Sequence, residues 1–311
     1  MPRASQVHQN QALENISIAY KNGDLVADLL SPMVPVQHES DLYYQFSRDS
    51  LNLPETARAD GAEAQQADFS LSTSTYVVQE HALKKLVTDR SRENADKALN
   101  LDVMAVEHLT NLIKTRAEVE LAGLVSSGTA WANVTSLTST FAWSANTTLS
   151  DPLLFADSAA STIARASGTL PNMCLVDDPT FRAAKEHVSI VDRIKYTSAQ
   201  SVGEDLLAKL FGVDKLLVGR GIRNTGAEGL ADATGNSWIW TDMALFVHAE
   251  TAPGLMKPSA LYTFTLAQGN PVTVKKWRED NLGGDMIEVS RMYQHVSPMS
   301  AAGYLIVNTV Q

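Results

Sequence analysis

Residues 49–75 constrain this chain more than any other stretch. Their large apolar side chains are Leu51, Leu53, Phe69 and Leu71, and small or polar residues fill nearly all the rest. Asp49, Glu55, Asp60, Glu63 and Asp68 stand against Arg58, so five negative charges less one positive leave a net of −4. A structureless loop of this length is uncommon inside a compact domain and is usually functional or disordered. The flanks, 42–46 and 69–78, alternate like strands, but a lone two-stranded hairpin is marginal in water. Two readings follow from the residues: a protruding hairpin that rests on a neighbouring subunit, or a mobile surface loop.

The remainder of the chain has ample material for a core. With 311 residues, 44% of them hydrophobic, it can form one large or two medium domains. A net charge of −10 argues against nucleic acid or an anionic membrane as the main ligand, since both require a basic face. No apolar run approaches the ~20 residues of a membrane helix, and the polar residues 1–11 lack a signal-peptide core. The single cysteine, Cys174, rules out an intrachain disulfide. Its apolar run, 173–176, marks it as a small core hydrophobe rather than a nucleophile.

Residues 1–42 read as an arm. A short helical pattern runs from Leu13 to Leu30, and Pro32 and Pro35 then force extended backbone. Such a segment buries its apolar side chains against something else, and a neighbouring subunit is the expected anchor. Residues 41–46 read as a strand, 76–90 as strand and turn, and 90–97 as a charged connector.

The strongest helix follows. Asn100 can cap it, and Asp102 suits its first turn. Leu101, Met104, Ala105, Leu109, Leu112, Ile113, Ala117, Leu121 and Leu124 form one apolar stripe, with Glu107, Lys114, Glu118 and Glu120 off it. Ser126, Ser127 and Gly128 end the helix after about 38 Å. Helices are then expected over 152–166, 180–194 and 204–211. Strands are expected over 173–176, 216–218, 238–247 and 260–266. This alternation makes an α+β or α/β domain. The strands at 272–277, 286–294 and 304–310 are expected to return and pack on the long helix.

Motifs for catalysis are weak. Gly219, Gly221 and Gly226 have the wrong spacing for a dinucleotide loop, and no helix follows them. The seven histidines are scattered without metal-ligand spacing. Asp177 and Asp178 precede Pro179 as a turn and helix cap would. Asp89, Arg90, Arg92, Glu93, Asp96 and Lys97 form a mixed-charge patch, either a solvated face or an intersubunit ion-pair network. No catalytic residue, metal site or cofactor is expected.

The order of parts, together with the segments 15–20, 32–36 and 100–102, resembles the major capsid proteins of tailed bacteriophages with the Hong Kong 97-type fold. The resemblance implies an N-terminal arm at 1–42 and an extended β-hairpin loop at 43–75 lying over the adjacent subunit. It implies a peripheral domain with a spine helix at 76–131 and 272–311, and an axial domain at 132–271. Glu55, Arg58, Asp60, Glu63, Arg90, Arg92 and Glu93 are then the candidate intersubunit contacts. The function implied is a structural, non-enzymatic subunit that self-assembles as hexamers and pentamers into an icosahedral virion shell. That shell would enclose double-stranded DNA without sequence-specific binding, and an acidic subunit would not hold back the incoming genome. Partners implied are a portal and a separate scaffolding protein, with a decoration protein left open. A hairpin that begins near residue 43 leaves no room for a fused scaffold unless a longer precursor was trimmed. Some members crosslink a lysine of the extended loop to a neighbour, but residues 49–75 contain no lysine. An encapsulin-like compartment is the alternative within this fold, and a soluble enzyme built on 132–271 is the alternative outside it.

Overall fold

The computed structural model describes residues 25–46, 52–67, 71–95, 100–195, 202–226, 235–253, 257–266 and 272–310. Its axis is helix Leu101–Ser126, labelled α3 below. Asn100 caps it by accepting a hydrogen bond from Val103 N–H at 3.3 Å, and Gly128, at φ +64°, turns the chain away beyond its end. The buried stripe is narrower than the one expected. Ala105, Leu109, Ile113, Ala117, Leu121 and Val125 are buried, whereas Met104 and Leu112 are each 44% exposed. A four-residue step overshoots one helical turn by about 40°, so this stripe winds around the helix. Its first half meets one sheet and its last turns meet another.

The first sheet is built on the long strand β13, Gly284–Val296. One edge of β13 pairs with β4, Gln79–Thr88. The other pairs first with β12, Thr273–Glu279, and then with β11, Tyr262–Leu266. Strand β1, Met33–Val36, adds in parallel to β11 at the sheet edge, where Pro35 is tolerated because an edge need not donate on both sides. Val87, Ile287 and Val289 of this sheet pack on Ala105, Leu109 and Ile113.

The second sheet has the order β5 Asn133–Ser136, β14 Gly303–Val307, β10 Met243–Val247, β6 Met173–Asp177, β7 Lys215–Gly219. One face is covered by α4 Pro152–Ser167, α5 Asp178–Glu186, α6 Val188–Ile194 and α7 Glu204–Leu210, and the other packs on the last turns of α3 and on Val26, Ala27 and Leu30. Asp151 caps α4 with Pro152 in its first turn, and Gly168, at φ +77°, closes it. The expected strand near the C-terminus, β14, sits inside the second sheet, where Leu305 packs with Leu121 and Val125 of α3 as expected. Conversely β11, expected with the middle of the chain, belongs to the first. The α+β class holds.

Three further differences have physical causes. The helix expected over 180–194 breaks at His187, a fully buried residue whose ring is held by Ser150 at 2.9 Å and Ser189 at 2.8 Å. The strand expected over 238–247 divides into β9, Asn236–Trp238, and β10, because the chain turns at Asp242 with φ +52°. The charged connector at 90–97 begins as a short helix, α2 Asp89–Asn94, capped by Thr88. Strands β2, Ser40–Phe46, and β3, Leu71–Val77, form the expected hairpin with an antiparallel register. Tyr43 and Tyr76 of this hairpin pack with tilted rings against Phe264, seating its base on the first sheet.

Candidate intersubunit surface and arm anchor

Residues 25–31 are held within the chain by a buried polar junction. Val26 and Ala27, with helix α1 Ala27–Leu30, donate backbone hydrogen bonds to Glu118 Oε1 and Oε2 at 3.0 and 2.7 Å. Trp240 Nε1 donates to Oε1 at 2.6 Å. Glu118 is fully buried, which corrects its expected place off the apolar stripe. Burial pushes its pKa up, opposed by the Trp240, Val26 and Ala27 donors. Trp240 reaches this position because residue 219 is glycine, where a Cβ would sit 2.4 Å from the indole Cδ1. Gly219 and Gly221 thus serve packing, and β8, Ile222–Asn224, follows these two rather than a helix.

Arg291, only 2% exposed, ion-pairs with Asp28 at 2.7 Å. Ser31 Oγ lies 2.7 Å from Thr263 Oγ1, which in turn lies 2.9 Å from His295 Nδ1. Burial, reinforced by the Arg291 charge, pushes the His295 pKa down to about 4, so its ring is neutral near pH 7. This part of the arm is anchored on its own chain, where a neighbouring subunit was the expected anchor. The rest of the arm, 1–24, lies outside the described residues.

The acidic excursion is different. Residues 52–67 are exposed throughout, and Leu53 is 91% exposed. A turn brings Ala62 N–H to Ala59 O at 3.1 Å, with Gly61 at φ +77°. Glu55, Arg58, Asp60 and Glu63 all lie here, and among the described residues no ion pair holds any of them. Among the described residues, Glu55 accepts a local hydrogen bond from Ala57 N–H at 3.0 Å.

The second group of candidate residues lies on α2. Arg90 and Glu93 are exposed. Arg92 instead contacts Asp102 and Asp285 at 2.8 Å each, and Asp89 at 3.4 Å. Lys276 joins Asp102 and Asp285 at 2.7 and 3.2 Å, and Arg278 joins Asp89 and Asp285. Three carboxylates and three cations thus tie α2 and the start of α3 to β12 and β13. Hydrogen bonds from Lys276 lower the pKa of Asp102 and Asp285, and one from Arg278 lowers that of Asp89. Asp96 and Lys97 lie outside the described residues. No ion pair among those residues joins α2 to the excursion.

Groups considered for chemistry have structural partners. Cys174 is fully buried and its thiol pKa is pushed well up. Asp177 accepts hydrogen bonds from Asp242 and Met243 N–H at 3.0 and 3.1 Å, fixing the turn into β10. Asp178 pairs with Arg182 and Arg220. Among the described residues no cluster of three His, Cys, Asp or Glu could hold a metal, and no helix is long and apolar enough to cross a membrane.

No protein-family profile matches the chain. Two curated relatives do. A major capsid protein of Burkholderia phage BcepMu is 26% identical over 94% of each chain, and one of Pseudomonas phage JBD67 is 27% identical over 73% of each. Among solved structures, a phage-related protein from Bordetella bronchiseptica superposes with a TM-score of 0.73, 23% identity and coverage of 93% of this chain and 94% of that one. The capsid structure of Cyanophage P-SCSP1u gives 0.68 at 10% identity, covering 97% and 93%. The SrpI encapsulin of Synechococcus elongatus gives 0.56 at 12%, covering 98% and 97%. Two sheets braced by one long helix, with an exposed hairpin excursion, define the fold of shell-building subunits, of the Hong Kong 97 type. In sequence the chain is similar to phage major capsid proteins, and it is a structural subunit of a capsid shell that self-associates.

Proposed function

We propose that this subunit assembles through its acidic excursion, which lies over an adjacent copy in a noncovalent contact. The observation that carries the reading is the exposure of residues 52–67 throughout, an apolar leucine included. A large side chain left in water next to a net-acidic run gains nothing for the isolated fold and fits a contact completed by another chain.

The candidate contacts are Glu55, Arg58, Asp60 and Glu63 from the excursion, with Arg90, Arg92 and Glu93 receiving or flanking a neighbour. Arg92 brings its own-chain network to that edge. Residues 1–42 act as an arm and 43–75 as the extended loop. Residues 76–131 with 272–311 form a peripheral unit around the long helix, and 132–271 form an axial unit that meets its mates in hexamers and pentamers. The shell encloses DNA without reading its sequence. A separate scaffolding protein and a portal take part in assembly. The subunit is structural rather than catalytic.

Deleting residues 54–66 should leave a folded subunit that no longer forms closed particles by negative-stain electron microscopy when expressed with its scaffold. Normal shells from the deletion would overturn the reading. Because residues 49–75 contain no lysine, mature shells should run as single subunits on a denaturing gel, and covalent ladders would contradict a noncovalent contact. The likeness to an encapsulin supports a second reading, a compartment around a protein cargo. Purified shells that contain a cargo enzyme and no DNA would replace the first reading with it.

A further inference from the structure

One imidazole sits where residues 25–31, α3, β11 and β13 meet. Ile287 and Val289 of β13 pack on α3, and alternate strand residues share a face. Arg291, Tyr293 and His295 therefore also turn toward the helix. His295 Nδ1 lies 2.9 Å from Thr263 Oγ1. That hydroxyl lies 2.7 Å from Ser31 Oγ and donates to Ser31 O at 3.3 Å. The ring thus reaches the arm through one hydroxyl group. Beside it, Asp28 meets Arg291, and Glu118 holds Val26 and Ala27.

The charges around the ring are unevenly placed. Arg291, from the same strand, is 2% exposed. Glu118 and Glu120 come from α3 and Asp28 from the arm, while β11 contributes the uncharged Thr263. His81 comes from β4, with Nε2 3.7 Å from Glu120 Oε2. Tyr293, its ring centroid 5.1 Å from that of His295, donates to Glu120 Oε2 at 2.7 Å. Among the described residues, His295 Nε2 and Arg291 Nε are buried without a hydrogen-bond partner. The closed junction is thus a poor place for a second cation beside Arg291. Burial and the Arg291 charge outweigh the Ala117 carbonyl, Glu120 and Asp28, which favour a proton on His295.

A cavity of about 200 Å³ opens beside the ring, bounded in part by His81, Glu120, Tyr293 and Gln294. Burial opposes charge on Glu120, but hydrogen bonds from Tyr293 and Arg116 lower its pKa and keep it anionic. A protonated ring therefore has a carboxylate to turn to across the cavity and a repelling guanidinium behind it. Turning toward Glu120 gives up the contact with Thr263.

We infer that this junction is a proton-operated latch on the arm. While neutral, His295 holds Thr263 and Ser31 together, and residues 25–31 stay on α3 and β13. Once protonated, it is repelled by Arg291, turns to Glu120 and lets the segment go. Release admits water to the ring, so release and proton uptake are linked. The latched ring has a pKa of about 4, below the value of about 6.5 for a hydrated imidazole. Attachment is accordingly strongest above pH 6.5 and weakens as pH falls toward 4. Glu118 acts in the opposite sense, since its raised pKa favours the latched state on acidification.

Amide hydrogen exchange of residues 26–31 in the full-length subunit tests the latch, once corrected for the intrinsic pH dependence. From pH 7 to pH 5 the two His295 values multiply the open fraction by about twentyfold before the opposing effect of Glu118. The expected rise is at least fivefold, with circular dichroism and the protection of residues 109–117 unchanged. His295→Asn keeps a polar group near Thr263 and takes no proton, so the same pH step should leave its protection unchanged or increased. His81→Gln should keep the wild-type rise. A wild-type rise below fivefold overturns the latch, as does one that begins only below pH 4.5, where carboxylates titrate. So does a His295→Asn subunit that keeps the wild-type rise, a His81→Gln subunit that loses it, or loss of protection in α3 over the same range.

Discussion

Residues 25–36 and residues 52–67 pose the same problem at the level of sequence. Neither has a sheet of its own before the chain moves on, and both are expected to lean on a neighbour. They resolve it in opposite ways. The first finds its partners in the same chain: two N–H groups meet Glu118, Asp28 meets Arg291, and β1 pairs with β11. The second makes local turn contacts, no ion pair among the described residues holds Glu55, Arg58, Asp60 or Glu63, and its leucine remains exposed. A segment whose polar groups are already matched by buried partners belongs to the subunit fold. One that keeps both its apolar and its charged side chains exposed is left for another chain to complete.

Variants that strike the fold should therefore cost stability, and variants in the excursion should cost assembly alone. The largest effect is expected from Leu109→Asp, which places a charge without a partner between α3 and the first sheet. A loss above about 4 kcal/mol would leave little soluble monomer, and a cooperative unfolding transition close to wild type would contradict it. Glu118→Ala comes next. It strands three buried donors, for a loss of roughly 3 kcal/mol or more in denaturant unfolding, and the Val26 and Ala27 amides should exchange hydrogen faster. If their protection is unchanged, the carboxylate does not anchor the arm.

Acid should loosen the α2 network. Asp89, Asp102 and Asp285 have folded pKa values below their ordinary carboxylate value. Their contribution is present above the unfolded pKa of about 4 and is lost as pH falls through the lower, folded values. Glu118 has the opposite sign and a higher window, because its raised pKa favours the folded state as pH drops from that raised value to the ordinary glutamate value. Between pH 5 and 2 the unfolding midpoint of Asp285→Asn should fall less than that of the wild type, and parallel curves would exclude the network as a source of acid sensitivity. The smallest effect on stability belongs to the excursion. Replacing Glu55 and Glu63 by Gln should change unfolding free energy by less than about 0.5 kcal/mol while lowering particle yield, and a clear destabilisation would place these residues in the monomer fold.

Much of this division was legible before any coordinates. The long helix begins and ends where Asn100 and Gly128 indicate, since capping is a local property. The hairpin flanks pair as their alternation predicts. Glu118 was missed because a charged residue on a helix is ordinarily read as solvent-facing. The partial signal was the four-residue spacing of Ala105 through Val125, which rotates the buried face and brings position 118 inward by the last turns. The break at His187 depends on Ser150, 37 residues away, and local pattern carries no trace of such a bond. The seating of β14 in the second sheet depends on its pairing with β10, which periodicity alone does not specify. Of the candidate contacts, the excursion's charges were found from composition. Arg92 was placed in a charged patch, but its partners on β13 and α3 lie too far along the chain to be seen.

The central claim is that residues 52–67 complete their packing on another copy. A cryo-electron microscopy map of the assembled shell tests this most directly. The account predicts continuous density for residues 52–67 lying against the adjacent subunit. Density that folds back onto the same subunit, or an excursion that projects without contact in a closed shell, would contradict it.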